Sequence, residues 1–193
     1  MNRFQLSALA LGTALLLGLV SAGAVAADAD VTGTCAKCHG PDGNSTTSAN
    51  PNIAGHDAEL QEDALRAYRD GSRKCGKVPM MCKVAAKLTD AQIETLAHHY
   101  ADQPFKAAEQ PFDAALAATG KTLHDKNCKG CHGSGPEDAD SGILHGQWVD
   151  YLRYTLDQYA TGGREVDPMM KAKLAKLGPA DIDALMNYYA SYK

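Results

Sequence analysis

The sequence predicts an all-α protein made of two tandem domains of similar size, and three observations predict it. A short motif of two cysteines and a histidine occurs twice, at residues 35–39 and 128–132. Apolar residues recur at helical spacing in both halves, and strand-like alternation is absent. Matching residues also follow the two motifs in a long, steady register, which is typical of a duplicated domain.

Both motifs have the form C-x-x-C-H, which is the attachment signature of c-type haem. Two thiols three positions apart can reach the two vinyl groups on one edge of a haem, and the adjacent histidine can bind the iron. The alternative is a redox cysteine pair or half a zinc site that happens to precede a histidine, and the second copy disfavours it. We therefore expect two covalently bound haem c groups. Their predicted anchors are Cys35, Cys38, Cys128 and Cys131, and the predicted proximal iron ligands are His39 and His132.

The N-terminus has the pattern of a secretory signal peptide over residues 1–26. Arg3 provides a positive start, residues 9–20 form an apolar run, and residues 24–26 resemble a cleavage site. The run is too short to span a membrane, although a retained N-terminal anchor is the alternative. We expect export to the periplasm and a mature chain that begins at Ala27 and has no membrane span. Export agrees with covalent haem attachment, which takes place outside the bacterial cytoplasmic membrane.

The formal net charge of −4 at pH 7 argues against nucleic acid as a partner. It is compatible with docking to a basic patch on another protein, but a charge this small commonly serves solubility alone.

The elements follow in the same order in each half: an opening helix that leads into the motif, a middle helix, a methionine-bearing loop and a closing helix. We place the first domain at 27–103, a proline-bounded linker at 104–112 and the second domain at 113–193. The spacing i, i+3, i+4, i+7 predicts a middle helix over 152–159 and closing helices over 93–100 and 182–189. Thr89 with Gln92 predicts a capping box, and Pro179 suits the first turn of the last helix.

A methionine pair precedes each closing helix and supplies candidate distal ligands for the iron. The pairs are Met80–Met81 and Met169–Met170, and the repeat register does not choose between their members. A thioether opposite histidine raises the reduction potential and leaves no position for substrate, which suits electron transfer. The unused member of each pair is expected to fill space beside the haem.

Two cysteines, Cys75 and Cys82, lie outside the motifs and bracket the first methionine pair. In an exported protein we expect them to form a disulfide that holds the methionines near the iron. Free thiols or a thiolate ligand are the alternatives. The remaining histidines are expected at the surface or in packing, although His145 is an alternative ligand for the second haem.

The chain resembles the dihaem class I cytochromes c of the cytochrome c4 type. A closer resemblance is to the dihaem subunit of flavocytochrome c sulfide dehydrogenase, carried by residues 112–128, 146–152 and 183–191. It implies two tandem class I cytochrome c domains, each wrapped around one haem. It also implies Met81 and Met170 as the distal ligands, an FAD-containing flavoprotein that oxidises sulfide as the electron donor, and a downstream acceptor protein. Cys75 and Cys82 depart from that subfamily.

The leading hypothesis is a periplasmic electron-transfer protein with no substrate chemistry of its own. Within it, we favour the subunit of a sulfide-oxidising flavocytochrome over a free dihaem shuttle that serves a terminal oxidase or another periplasmic enzyme, thiosulfate oxidation included. The rival is a haem enzyme with an open iron position, which a methionine in each half disfavours.

Overall fold

The computed structural model describes residues 23–76, 78–136 and 141–193, with side chains of the first helix described from residue 31 onwards. Most of the predicted signal peptide lies outside these residues. The described ranges contain helices and no strand, which confirms the all-α prediction. The helices are α1 Gly23–His39, α2 Ala58–Asp70, α3 Pro79–Ala85, α4 Asp90–Ala101, α5 Ala114–Asn127, α6 Lys129–His132, α7 Val149–Thr161, α8 Pro168–Leu174 and α9 Pro179–Ala190.

Local sequence signals set several of the helix ends. The Thr89 side chain accepts from the backbone N–H of Gln92 and the Gln92 side chain accepts in return, so the predicted capping box of α4 is confirmed. Pro179 lies in the first turn of α9, as expected. Helix α5 begins after Asp113, whose carboxylate accepts from the backbone N–H of Leu116 at 2.9 Å.

Each half packs its own apolar core against its closing helix. The first core consists of Leu88, Ile93, Leu96 and Tyr100, and the second of Leu152, Leu185, Met186 and Tyr189. In the second half the absence of a side chain at Gly120 lets α5 lie very close to α9. A Cβ atom at this position would collide with the carbonyl oxygen of Ala184. Leu116, one turn before Gly120 on α5, is 40% exposed.

The methionine pairs lie in short helices, so the prediction of a methionine-bearing loop is wrong. Pro79 opens α3 and Pro168 opens α8, and proline at the first turn is pre-organised for a helix. A seven-residue helix has too few turns for its apolar periodicity to stand out in the sequence, which is why the pattern missed both.

The two halves are joined by hydrogen bonds that fix one against the other. Gln147 is fully buried, its Nε2 donates to the carbonyl of Asn52 at 2.8 Å, and its Oε1 accepts from the Asn52 backbone N–H at 2.9 Å. The Trp148 indole N–H donates to the carbonyl of Ser45 at 3.3 Å.

The segment between the halves also binds to both of them. The carbonyl of Lys106 accepts from the Asn52 side chain at 2.8 Å, and the backbone N–H of Ala108 donates to Gly146 at 2.7 Å. Because both ends of the segment are hydrogen-bonded, it acts as a strap and not as a free tether. Within the described ranges, no helix combines the length and the apolar character that crossing a bilayer requires.

Candidate functional site

The first motif lies at the C-terminal end of α1. Cys35 packs against the first core, Cys38 is exposed, and the His39 side chain is buried. All six cysteines fall in the described ranges, and none of the four motif cysteines takes part in a disulfide. The thiols needed for two thioether bonds are thus available in each half.

The ring of His39 is held by one hydrogen bond. Its Nδ1 lies 2.8 Å from the carbonyl oxygen of Pro51, and since a carbonyl can only accept, Nδ1 carries the proton. The other ring nitrogen, Nε2, is then left with a free lone pair, which is what an iron ligand needs. Burial lowers the pKa of His39, so the neutral, ligating form is favoured.

In the second half three of the four predicted site residues line one cavity of about 240 Å³, and the fourth, Cys131, is exposed. Cys128, His132 and Met170 all contribute to its wall, together with apolar residues of α7 and α9. An apolar cleft that carries a thiol, an imidazole and a thioether has the donor set of a haem c site.

His132 differs from His39 because its ring lacks the hydrogen bond that holds the His39 ring. Its Nδ1 is buried and has no hydrogen-bond partner among the described residues. The duplicated register puts Gly142 at the position of Pro51, and the Gly142 backbone partly offsets the burial that lowers the pKa of His132. The second histidine is therefore kept neutral chiefly by burial.

Within each methionine pair the two side chains have different environments. Met80 is 57% exposed and Met169 is 71% exposed, whereas Met81 and Met170 are half-buried. Of the second pair, Met170 lines the cavity and Met169 does not. Met81 and Met170 are thus the more buried members of their pairs, and Met170 also belongs to the cavity wall.

The helices that carry these methionines are held in two different ways. The predicted Cys75–Cys82 disulfide is confirmed, and the backbone N–H of Cys82 donates to the sulfur of Cys75 at 3.0 Å. In the second half the Asp167 carboxylate caps α8, accepting from Met169 N–H at 2.8 Å and Met170 N–H at 3.2 Å. One half uses a covalent bond where the other uses a helix cap.

His145 belongs to a packing cluster. It is fully buried, its ring lies 4.8 Å from that of His124, and it is absent from the residues that line the cavity. The neighbouring His124 is hydrogen-bonded through Nδ1 to the hydroxyl of Tyr189 at 3.1 Å and through Nε2 to the carbonyl oxygen of Gly133 at 2.6 Å. Both histidines support the closing helix, as the packing interpretation of the sequence expects.

Two arginines are part of the cavity wall and were not predicted as site residues. Arg73 comes from the first half and Arg164 from the second, and both line the cavity that contains Cys128 and His132. The signal was in the repeat, because the two arginines are 91 positions apart and match in register. The repeat by itself did not indicate that either arginine binds a ligand.

Comparisons with known proteins find cytochromes c. The family described as "Cytochrome C oxidase, cbb3-type, subunit III" matches twice, at residues 22–99 and 115–188. Cytochrome c4 of Thiocapsa roseopersicina is 32% identical over 84% of this chain and 89% of its own length. The thiosulfate dehydrogenase electron acceptor of Thiomonas intermedia is 36% identical over 36% of this chain and 32% of its own length.

A solved structure has the same arrangement of both halves. Reduced cytochrome c4 from Pseudomonas stutzeri matches with a TM-score of 0.72 at 28% identity, covering 89% of this chain and all of the other. The match is too long to lie in one half of this chain alone.

Proposed function

The chain belongs to the cytochrome c4 family of dihaem electron-transfer proteins, and from that premise we propose that it accepts electrons from a periplasmic dehydrogenase of reduced sulfur compounds. Two covalently bound haem c groups are the cofactors of this family, and the chain has one attachment motif for each. Haem iron supplies a one-electron change when it is bound.

We assign the roles of the site residues as follows. Cys35 and Cys38 in the first half, and Cys128 and Cys131 in the second, would hold the haems through thioether bonds. His39 and His132 would supply imidazole ligands to the iron, and Met81 and Met170 would supply thioether ligands. The chain's own contribution is to keep both histidines neutral, to exclude water with the two apolar cores, and to hold each thioether in place.

A single observation carries the proposal of electron transfer over substrate chemistry. Cys128, His132 and Met170 line the same cavity, so an imidazole and a thioether would both be available as ligands to an iron bound there. A haem enzyme needs an open or exchangeable position. Slow carbon monoxide binding to the reduced protein at both haems is the expected result, and rapid binding at either haem would favour an enzyme.

A sulfur-compound dehydrogenase is supported as the donor by the relative named an electron acceptor of thiosulfate dehydrogenase. A free carrier is supported by the match to cytochrome c4 over nearly the full length of both chains. The second candidate is the subunit of an FAD-containing sulfide dehydrogenase, which rests on the resemblance of residues 112–128 and 146–152. A downstream acceptor protein is required in both cases.

Isolation from the native periplasm distinguishes the two candidates. A free carrier should be recovered with two haems and no flavin, and thiosulfate should reduce it only when a thiosulfate dehydrogenase is added. If flavin co-purifies in a fixed ratio and sulfide reduces the haems directly, the subunit candidate replaces the carrier. Recovery of the protein from the cytoplasm, with residues 1–26 still attached, would contradict export.

A further inference from the structure

Arg73 carries a buried positive charge that has no anionic partner among the residues that the structure describes. Its side chain is only 4% exposed, and its Nε and Nη2 have no hydrogen-bond partner among the described residues. Its guanidinium lies 4.4 Å from the centre of the Tyr68 ring. An arginine does not lose its proton in a protein, so burial without an anion is unfavourable.

A second cation lies in the same region. Arg164 stacks over the Tyr159 ring at 5.2 Å and lines the same cavity as Arg73. Burial alone would raise the pKa of the Tyr151 hydroxyl, yet its pKa is lowered because the positive charges of Arg73 and Arg164 lie near it. The two guanidinium groups therefore both place positive charge near the hydroxyl of Tyr151.

The described part of the chain offers these arginines no carboxylate. Its ion pairs involve Arg66, Arg69, Lys106, Lys121 and Arg153, and neither Arg73 nor Arg164 is among them. The hydroxyl of Thr155, a further residue of the cavity wall, is also buried without a partner. Arg73, Arg164 and Thr155 thus all place polar groups in the wall of this cavity.

We infer that Arg73 and Arg164 bind the carboxylate side chains of the haem held by Cys128 and Cys131, so that the first half supplies a counterion to the haem of the second. Guanidinium and carboxylate match in shape and charge, and the pair can form two parallel hydrogen bonds. The inference rests on the proposed haem sites and adds a contact between one half and the other half's cofactor.

The midpoint potential of the second haem tests the inference. A nearby cation favours the reduced form, so Arg73→Gln should lower the reduction equilibrium constant of that haem at least tenfold, which corresponds to about 59 mV for one electron. Arg73→Lys keeps the charge and should restore most of the change. Adding Met170→His lowers one midpoint further and so identifies the second haem, because imidazole replaces the thioether that raises its potential.

A matched control is available on the surface. Arg153→Gln removes the same charge from an exposed residue that pairs with Asp183 at 2.7 Å, and it should leave both midpoints within threefold of the original equilibrium constants. If Arg73→Gln does not fold with two haems, Arg164→Gln provides the same test from a half-buried position.

Two results would overturn the inference. If Arg73→Gln and Arg164→Gln retain both haems and unchanged midpoints, the arginines only pack against their tyrosines. If the wild-type midpoints change with phosphate concentration at constant ionic strength, the arginines bind a free anion and not the haem. A failure of the proposed function is distinguishable, because it would show in the wild-type protein as missing haems or as no reduction by a dehydrogenase.

Discussion

Removing the Cys75–Cys82 disulfide should release the methionine of the first half and leave the second half intact. The bond connects the segment before α3 to the second turn of that helix, so it fixes the residues on both sides of Met81. Replacing both cysteines by alanine removes this constraint without adding bulk. The second half provides an internal comparison because there the side chain of Asp167 caps the helix that carries the methionines, and no disulfide is present.

The magnitude follows from the size of the closed loop. The two cysteines are seven positions apart, and closing so short a loop restricts the unfolded chain by about 2.5 kcal/mol at 25 °C. A difference of about 1.4 kcal/mol is a factor of ten in an equilibrium constant. Without the disulfide, the equilibrium constant for α3 in its folded position, compared with α3 detached from it, should fall roughly 60-fold. Loss of the Asp167 cap should lower the stability of α8 by about 1 kcal/mol.

The assay is the sulfur-to-iron charge-transfer absorption of the oxidised protein, together with carbon monoxide binding after reduction. The disulfide variant should lose up to half of the absorption and bind carbon monoxide at one haem. In a Met170→Ala background the remaining absorption reports the first half alone, and there the disulfide variant should abolish it. Asp167→Ala should weaken only the second half.

The reasoning would be refuted if the double alanine variant kept its full absorption and excluded carbon monoxide. It would also be refuted if the variant affected both haems equally, because the disulfide would then stabilise the whole molecule and not one methionine.

Three further predictions concern single side chains. Met81→Ala should lower the potential of the first haem and admit carbon monoxide, whereas Met80→Ala, at a 57% exposed position, should leave both unchanged in a redox titration. Gln147→Ala should lower the free energy of unfolding by about 2–4 kcal/mol in urea, because Asn52 loses two buried hydrogen bonds; a loss below about 0.5 kcal/mol would argue against this contact between the halves. Burial lowers the pKa of His56 to about 4, so the unfolded chain binds more protons between pH 6.5 and 4 and stability should fall as pH drops through that range. His56→Gln should flatten the fall by roughly 3 kcal/mol in urea unfolding at pH 4 compared with pH 7, and an unchanged pH profile would contradict it.

Much of the fold was predictable because its signals are local. Ile93, Leu96 and Tyr100 follow helical spacing, and all three are buried in α4. The capping box at Thr89 needs only residues three positions apart. The disulfide was predictable because two leftover cysteines lie close together in a chain expected to be exported.

The predictions that failed or were incomplete depend on longer-range geometry. The methionine helices were missed because each is only seven residues long and opens with a proline, and neither has a repeated apolar face. The close approach of α5 to α9 at Gly120 had no local signal, because the two helices are far apart in the sequence. The hydrogen bond from His39 to Pro51 joins residues 12 positions apart in a segment without regular structure.

The sequence by itself determined the chemistry of the protein, namely two haem attachment motifs, two methionine pairs and a duplicated helical domain, because spacing within a few residues fixes what those side chains can bind. Only the tertiary structure decided how the halves meet. Gln147 bonds Asn52 across 95 positions, and Arg73 of the first half enters the cavity wall of the second. Such contacts depend on the packing of surfaces that are distant in the chain, and no local pattern encodes them.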